Sequence, residues 1–462
     1  FILSQLKNAG KIPKGRIWTR EEKAFFVTLF KKGPRAYRFL QKFFAMPSVR
    51  TLAKVLNDMG IHAGIHYSVL ESMSQMDMDN HPLKKFCNLV FDEMAIQPHL
   101  DIAFKPDTID VIGLEDLGQI GNGRKKCMAD KALVFMLTGI NNKWTQPIAC
   151  FFTKSGVKTY QLADLIVKII NVIHTKTEFR VLLTTSDQGG PNRAAVRYLT
   201  LKSNFERNDF QYLVNSNSIL HNFDACHLIK CLRNAMIDKD IQDDSGIARW
   251  NDIEMLYAKD GLSVDSKITK LTELHIHPQG KMKMKVSLAT QVFSNSVYSA
   301  MTLVNNFGFV NWGGTASFVK FCDTLFDSLN SKCKETKPMR RPLTDNSEHM
   351  KFWAEAKVRL NDLKFFKNGK EVHAPPSVQN FIVTIRNIER LWEKLKTLGF
   401  KYFATRSIQQ DPLENFFGKI RSLCGDNTKP TLIQFLAAYK ACMLHSKIPN
   451  SDKTNCESAN TI

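Results

Sequence analysis

Apolar and polar positions change period near residue 86. Before it the spacing is helical. "TREEKAFFVTLFKKG" opens on Thr19 as an N-cap, carries Glu21 and Glu22 in its first turn and stops at Gly33. "PRAYRFLQKFF" follows with Pro34 at a helix start. "PSVRTLAKVLNDMG" enters through Pro47 and Ser48 and leaves at Gly60. Three short helices with tight turns fit a helix-turn-helix module, and equally a plain helical bundle. Arg35, Arg38, Lys42, Arg50 and Lys54 give it a basic face.

From residue 86 short apolar runs predict strands. These are "FCNLVFDEM", a hairpin in "LDIAFKPDTIDVIGLED" turned by Pro106 and Asp107, "DKALVFMLTGI" and "TQPIACFFT". "TYQLADLIVKIINVIHTKT" then places Leu162, Leu165, Ile166, Ile169, Ile170 and Ile173 on one helical face. "RVLLTTSDQGG" is another buried strand. Residues 210–237 predict one more strand and a basic helix. Residues 240–400 are mostly helical, with a polar loop at 334–349 and amphipathic helices in "NFIVTIRNIERLWEKLKTLG" and "DPLENFFGKIRSLCG". "KMKMKV" reads as strand-like, with Lys281, Lys283 and Lys285 on one face. Phe307, Phe309 and Trp312 read by default as core.

Charge narrows the function. The net is +20 over 462 residues, which favours a polyanion, nucleic acid before anionic membrane. No run approaches the roughly 18 apolar residues of a membrane span. Ten cysteines without a CxxC pair are expected as free thiols in a reducing compartment. The start at Phe1 and the lack of a cleavage pattern suggest a piece of a longer protein. No GxSxG or supported Cys–His pair points to nucleophilic catalysis. His221, Asp224, Cys226, His227 and Cys231 crowd together, but at no standard zinc spacing.

Two predicted core strands run into an acid: "NLVF" into Asp92 and "LLTTS" into Asp187. As sheet neighbours they would bring two carboxylates side by side, which repel unless a cation or proton lies between them. A pair of Mg²⁺ ions answers that need, and two-metal phosphoryl transfer suits a basic protein. Glu93 points to the other face by strand alternation.

"FDEM", "SDQGGPNR", "DACHLIKCLRN" and "DPLENFFGKIRS" together resemble the P element transposase family, which includes the THAP-domain transposase-like proteins. The amino-terminal THAP domain and leucine zipper of that family are not in this sequence. The resemblance implies an α/β chain, an RNase H-like catalytic domain with a DDE triad of Asp92, Asp187 and Glu414. Ninety-five residues separate the first two acids and 227 the last two, so an inserted domain must fill the second gap. The expected division is a helix-turn-helix segment (1–85), catalytic parts (86–238 and 404–430), an insertion (239–403) and the start of a further domain (431–462).

The resemblance further implies Mg²⁺ or Mn²⁺, and GTP as a cofactor that is not hydrolysed, held without a P-loop by Lys285, Val286, Ser294, Asp327, Asn330 and Asp411. Expected DNA contacts are Arg35, Arg38, Arg50, Lys54, His227 and Lys230. Expected partners are transposon ends and target DNA in the nucleus, with a homodimer or homotetramer and no membrane. Two readings compete with an active transposase: a domesticated DNA-binding derivative, and a GTP-regulated DNA-binding module without catalysis.

Overall fold

A computed structural model describes residues 1–75, 82–104, 109–121, 123–260, 268–308 and 310–446. Pro106, Asp107 and Phe309 lie outside them, as does the end of the expected last domain. The hairpin itself is present, Asp101–Phe104 against Ile109–Ile112.

The centre is a nine-stranded mixed sheet. From one edge its order is Gln211–Val214, Asn217–Phe223, Arg180–Ser186, Phe86–Ala95, Lys131–Gly139, Thr145–Thr153, Leu114–Asp116 and Arg124–Met128, with Gly64–Ile65 added on Thr145–Thr153. Phe86–Ala95 pairs parallel with Arg180–Ser186, and that strand pairs parallel with Asn217–Phe223. The other ladders are antiparallel. Phe86 through Phe91 are all buried, so this strand has no solvent face, as expected where helices cover both sides. Thr159–Lys176 packs on Arg180–Ser186 and on the Gly190–Lys202 helix. Pro376–Thr397 lies against Asn217–Phe223 and Ala225–Asp238, and Asp411–Leu423 against Phe86–Ala95.

The expected single strand in 210–237 is a hairpin of two, turned at Asn215 and Ser216 with φ of 47° and 63°. An Asn-Ser turn lacks the glycine that advertises such a corner. The strand expected in "KMKMKV" is absent. Gly280–Met284 is a 3-10 turn and Val286–Val292 a helix, because five alternating residues are too few to fix a period.

The stretch expected as the insertion contributes a second, four-stranded sheet besides its helices. Asp240–Asp243 pairs with Gly246–Ala248 and with Lys364–Lys367, which pairs with Lys370–Val372. This sheet ties the chain near residue 240 to the chain near residue 366. Residues far apart in sequence pair here, which local pattern cannot announce.

The amino-terminal helices Arg20–Lys32, Pro34–Leu40 and Val49–Asn57 form as expected. Thr19 and Glu22 make a reciprocal capping box. Phe26, Tyr37 and Leu52 form a separate small core, closed by Ala441 and Leu444 of the Leu432–Ser446 helix. No described helix is long and apolar enough to cross a membrane.

Candidate active site

Contrary to the expectation from sequence, Asp92 does not end its strand. The strand continues to Ala95, still paired with Lys131–Gly139. What ends is the parallel ladder on the other side, at Val90 opposite Thr185. The neighbouring strand stops at Ser186 and turns away at Asp187, so the two acids stand where the ladder opens.

The Asp92 carboxyl is pushed up to about 7, first by burial and then by the Asp187 charge, with Glu414 adding to it. Its Oδ1 accepts from the Glu93 amide at 2.7 Å. Asp187 Oδ1 accepts from the Gly189 amide at 2.9 Å and from Asn192 Nδ2 at 2.6 Å. A Cβ on Gly189 would sit 2.9 Å from that oxygen, so any larger residue there would have to push the carboxylate aside. Glu93 faces away and accepts from the Val157 amide at 3.2 Å.

Glu414 reaches the same place from the first turn of Asp411–Leu423. Its Oε1 pairs with His227 Nε2 at 2.9 Å. That bond holds the Glu414 carboxyl below its ordinary value. Burial alone would lower the His227 imidazole, but the Glu414 bond and the Asp224 charge outweigh it and raise it. Asp224 caps the helix that carries His227, accepting from the His227 amide at 2.9 Å through Oδ2. Its Oδ1 accepts from the Gln410 amide at 3.0 Å, and Gln410 Nε2 donates at 3.1 Å to the carbonyl of Phe91, next to Asp92. Asp224 and Gln410 thus tie the late helix to the early strand. The "DACH" spacing marks Asp224 as an N-cap. Nothing local marks Gln410.

His227 and Lys230 do not form an open, DNA-facing helix surface. His227 is bonded to Glu414, and Lys230 is 6% exposed, because Pro376–Thr397 and Val286–Val292 cover the Ala225–Asp238 helix. The Lys230 charge lies near enough to favour ionised Glu414. His221 is buried on Thr184 and Cys226 contacts Gln409 at 3.3 Å, so both side chains pack in the interior.

Asp187 and Glu414 near the buried Asp92 supply hard oxygen donors of the kind a divalent cation takes. Among the described residues no three acid, His or Cys groups already converge to hold one, and Glu414 is turned to His227.

Of the expected nucleotide residues, two are brought together. Arg406 donates through Nη1 to Asn330 Oδ1 at 3.4 Å and through Nη2 to Asp411 Oδ2 at 2.6 Å. Asp411 is therefore not the cap of its helix; Gln410 holds that position. Asp327 lies one turn before Asn330, near Arg340 at 3.6 Å, with its carboxyl pushed up to about 6 by burial and by Asp323. Ser294 caps Asn295–Asn306, Lys285 is exposed and Val286 half-buried. Among the described residues no hydrogen bond joins these three to Asp327, Asn330 or Asp411. Arg35, Arg38, Arg50 and Lys54 are exposed on the amino-terminal helices.

Three family models match the chain. "TNP-like, RNase H N-terminal domain" covers residues 61–200, "TNP-like, GTP-binding insertion domain" 226–342 and "TNP-like, RNase H C-terminal domain" 408–440. DNA transposase THAP9 of Homo sapiens is 26% identical over 91% of this chain and 48% of its own length. Transposable element P transposase of Drosophila melanogaster is 26% identical over 97% of this chain and 58% of its own length. The chain thus spans about half the length of these curated relatives. A solved Drosophila P element transposase strand transfer complex has the same fold, with a TM-score of 0.79 at 23% identity over 97% of this chain and 96% of that one. An RNase H-like fold split by an insertion domain, with all three models in order along the sequence, places the chain in the P element transposase family.

Proposed function

We propose that this chain is a transposase core that cuts DNA and transfers the cut strand with Asp92, Asp187 and Glu414 as its acids. The observation that carries the reading is the opened parallel ladder, which leaves Asp92 on one strand and Asp187 just past the end of its neighbour, while Glu414 approaches from a helix 227 residues later in the chain. The three would hold Mg²⁺ or Mn²⁺. Bound there, the metal supplies Lewis acidity to a phosphodiester and lowers the pKa of its water.

The chain's own residues do the positioning. The sheet fixes Asp92, and the Gly189 amide and Asn192 fix Asp187 at the end of the neighbouring strand. Gln410 and Asp224 fix the start of the Asp411–Leu423 helix, and His227 keeps Glu414 ionised and oriented. Lys230 adds a positive charge beside an anionic substrate. The exposed basic helices at 1–85 serve as the helix-turn-helix that holds DNA, and GTP binds in the insertion as a cofactor that is not hydrolysed. Its residues would be Lys285, Val286, Ser294, Asp327, Asn330 and Asp411. The insertion runs from 239 to 403, with Pro376–Thr397 as its strut on the large sheet. Action on two DNA ends calls for a dimer or tetramer, and DNA as substrate for the nucleus.

The test is nicking of supercoiled plasmid in Mg²⁺, Mn²⁺ or Ca²⁺. Mg²⁺ and Mn²⁺ should support cutting by the unaltered chain. Ca²⁺, with its looser geometry, should support binding only. DNA binding without metal-dependent cutting would instead establish the non-catalytic reading.

A further inference from the structure

Asp411 and Asn330 come from different parts of the chain. Asn330 ends the Gly313–Leu329 helix of the insertion, and Asp411 begins the helix that carries Glu414. One guanidinium joins them. Arg406 gives Nη1 to Asn330 Oδ1 at 3.4 Å and Nη2 to Asp411 Oδ2 at 2.6 Å. Its backbone is fixed on the same side: the Arg406 amide donates to the Ser331 carbonyl at 3.1 Å, and Thr405 Oγ1 accepts from the Ser331 amide at 2.9 Å. The fork is held by the insertion and reaches to the catalytic helix.

We propose that Arg406 is a specificity-determining positioning residue, which sets Asn330 and Asp411 as one guanine-reading edge. The proposal rests on the placement of the nucleotide given above. Its chemistry follows from what Arg406 leaves free. Because Asn330 gives its oxygen to the guanidinium, its Nδ2 is turned away as a donor. Because Asp411 gives Oδ2, its Oδ1 has only the long Cys226 thiol contact at 3.8 Å and can accept more. A donor beside an acceptor matches guanine, which presents O6 beside N1–H and N2–H₂. Adenine reverses the pattern, with an amino group facing the amide and a bare N1 facing the carboxylate.

Without Arg406 nothing fixes which way the Asn330 amide turns, and an amide that flips accepts adenine's amino group. Lysine cannot replace the fork, since one ammonium does not address two planar groups at a fixed angle. The guanidinium also joins base reading to the first turn of the helix that carries Glu414.

The experiment compares GTP and ATP binding by calorimetry for the whole chain and for Arg406→Ala, Arg406→Lys, Asp411→Asn and Asn330→Ala, with thermal melting as a check on folding. Arg406→Ala should lower the GTP-over-ATP preference by about ten- to hundredfold, the loss of a charge-assisted hydrogen bond. ATP affinity should stay near that of the unaltered chain. Arg406→Lys should lose most of the preference while keeping the charge. Equal weakening of both nucleotides would mean a phosphate contact or a structural role, and tighter GTP binding would mean that Arg406 competes with the base; either overturns the proposal. If Asp411→Asn and Asn330→Ala also leave the preference unchanged, the pocket itself is misplaced. If they lower it and Arg406→Ala does not, the pocket stands and the role of Arg406 falls.

Discussion

The acids of the candidate site are held in two different ways. Asp92 stands on a strand of a buried sheet and Asp187 one residue past the end of its parallel neighbour, just beyond the ladder that aligns the two strands. Glu414 depends on side chains: Gln410 to the Phe91 carbonyl, Asp224 to the Gln410 amide, and His227 to Glu414 itself. A ladder is cooperative and hard to shift, whereas a chain of single hydrogen bonds can be altered one link at a time. The insertion also reaches the helix through such links, since Gln409 Nε2 donates to Leu329 O at 2.6 Å and Arg406 to Asn330. Both links end at or just before the start of the helix that carries Glu414.

The largest effect expected from this difference is on chemistry. Asp92→Ala, Asp187→Ala and Glu414→Ala should each reduce metal-dependent nicking by at least about a thousandfold, because groups acting as a unit fail together. DNA binding, read by gel shift, should hold. Near-normal cutting by any one variant removes that acid from the set.

Smaller losses should come from the supports of Glu414. His227→Ala and Gln410→Ala should cost about ten- to hundredfold in nicking, the usual loss when an orienting partner is removed. Raised metal should recover much of it. Equal losses for His227→Ala and Glu414→Ala would mean that His227 does more than orient.

The sheet pair makes a prediction about pH. The folded Asp92 carboxyl sits near 7, above its unfolded value, so the folded protein binds the extra proton. Stability without metal should fall as pH rises from about 4 to about 7 and then level off. Asp92→Asn removes that loss, so its melting temperature in chelator should exceed that of the unaltered chain by a margin that widens up to pH 7. A margin that does not change with pH would contradict the buried repulsion.

The smallest effect concerns the amino-terminal helices. Neutralising Arg35, Arg38 and Arg50 together should flatten the log–log salt dependence of DNA binding by about 2–3, close to one unit per lost phosphate contact. An unchanged slope would leave these helices outside the DNA surface.

The sheet was more legible in the sequence than the site's third arm. Lys131–Gly139, Thr145–Thr153, Thr159–Lys176 and Arg180–Ser186 follow from period and apolar runs alone, because each is a buried element with a sharp boundary. The neighbouring positions of Asp92 and Asp187 follow from the strand order. Glu414 came only from the resemblance of "DPLENFFGKIRS", since no local pattern crosses a 227-residue gap. Lys230 was misread because a basic helix looks solvated until its neighbours are known, and Val286–Val292 and Pro376–Thr397, both distant in sequence, pack on the helix that carries it. Gln410 and Arg406 escaped notice because their partners, Phe91, Asp224 and Asn330, lie far away in the chain.

The central claim is that these three distant acids hold one cation site. Fe²⁺ in place of Mg²⁺, with ascorbate and peroxide, generates hydroxyl radicals that cut the polypeptide near the bound ion. The account predicts cuts clustered around residues 92, 187 and 414 together, all suppressed by excess Mg²⁺. Cuts near only one of the three, or at positions unrelated to them, would contradict it.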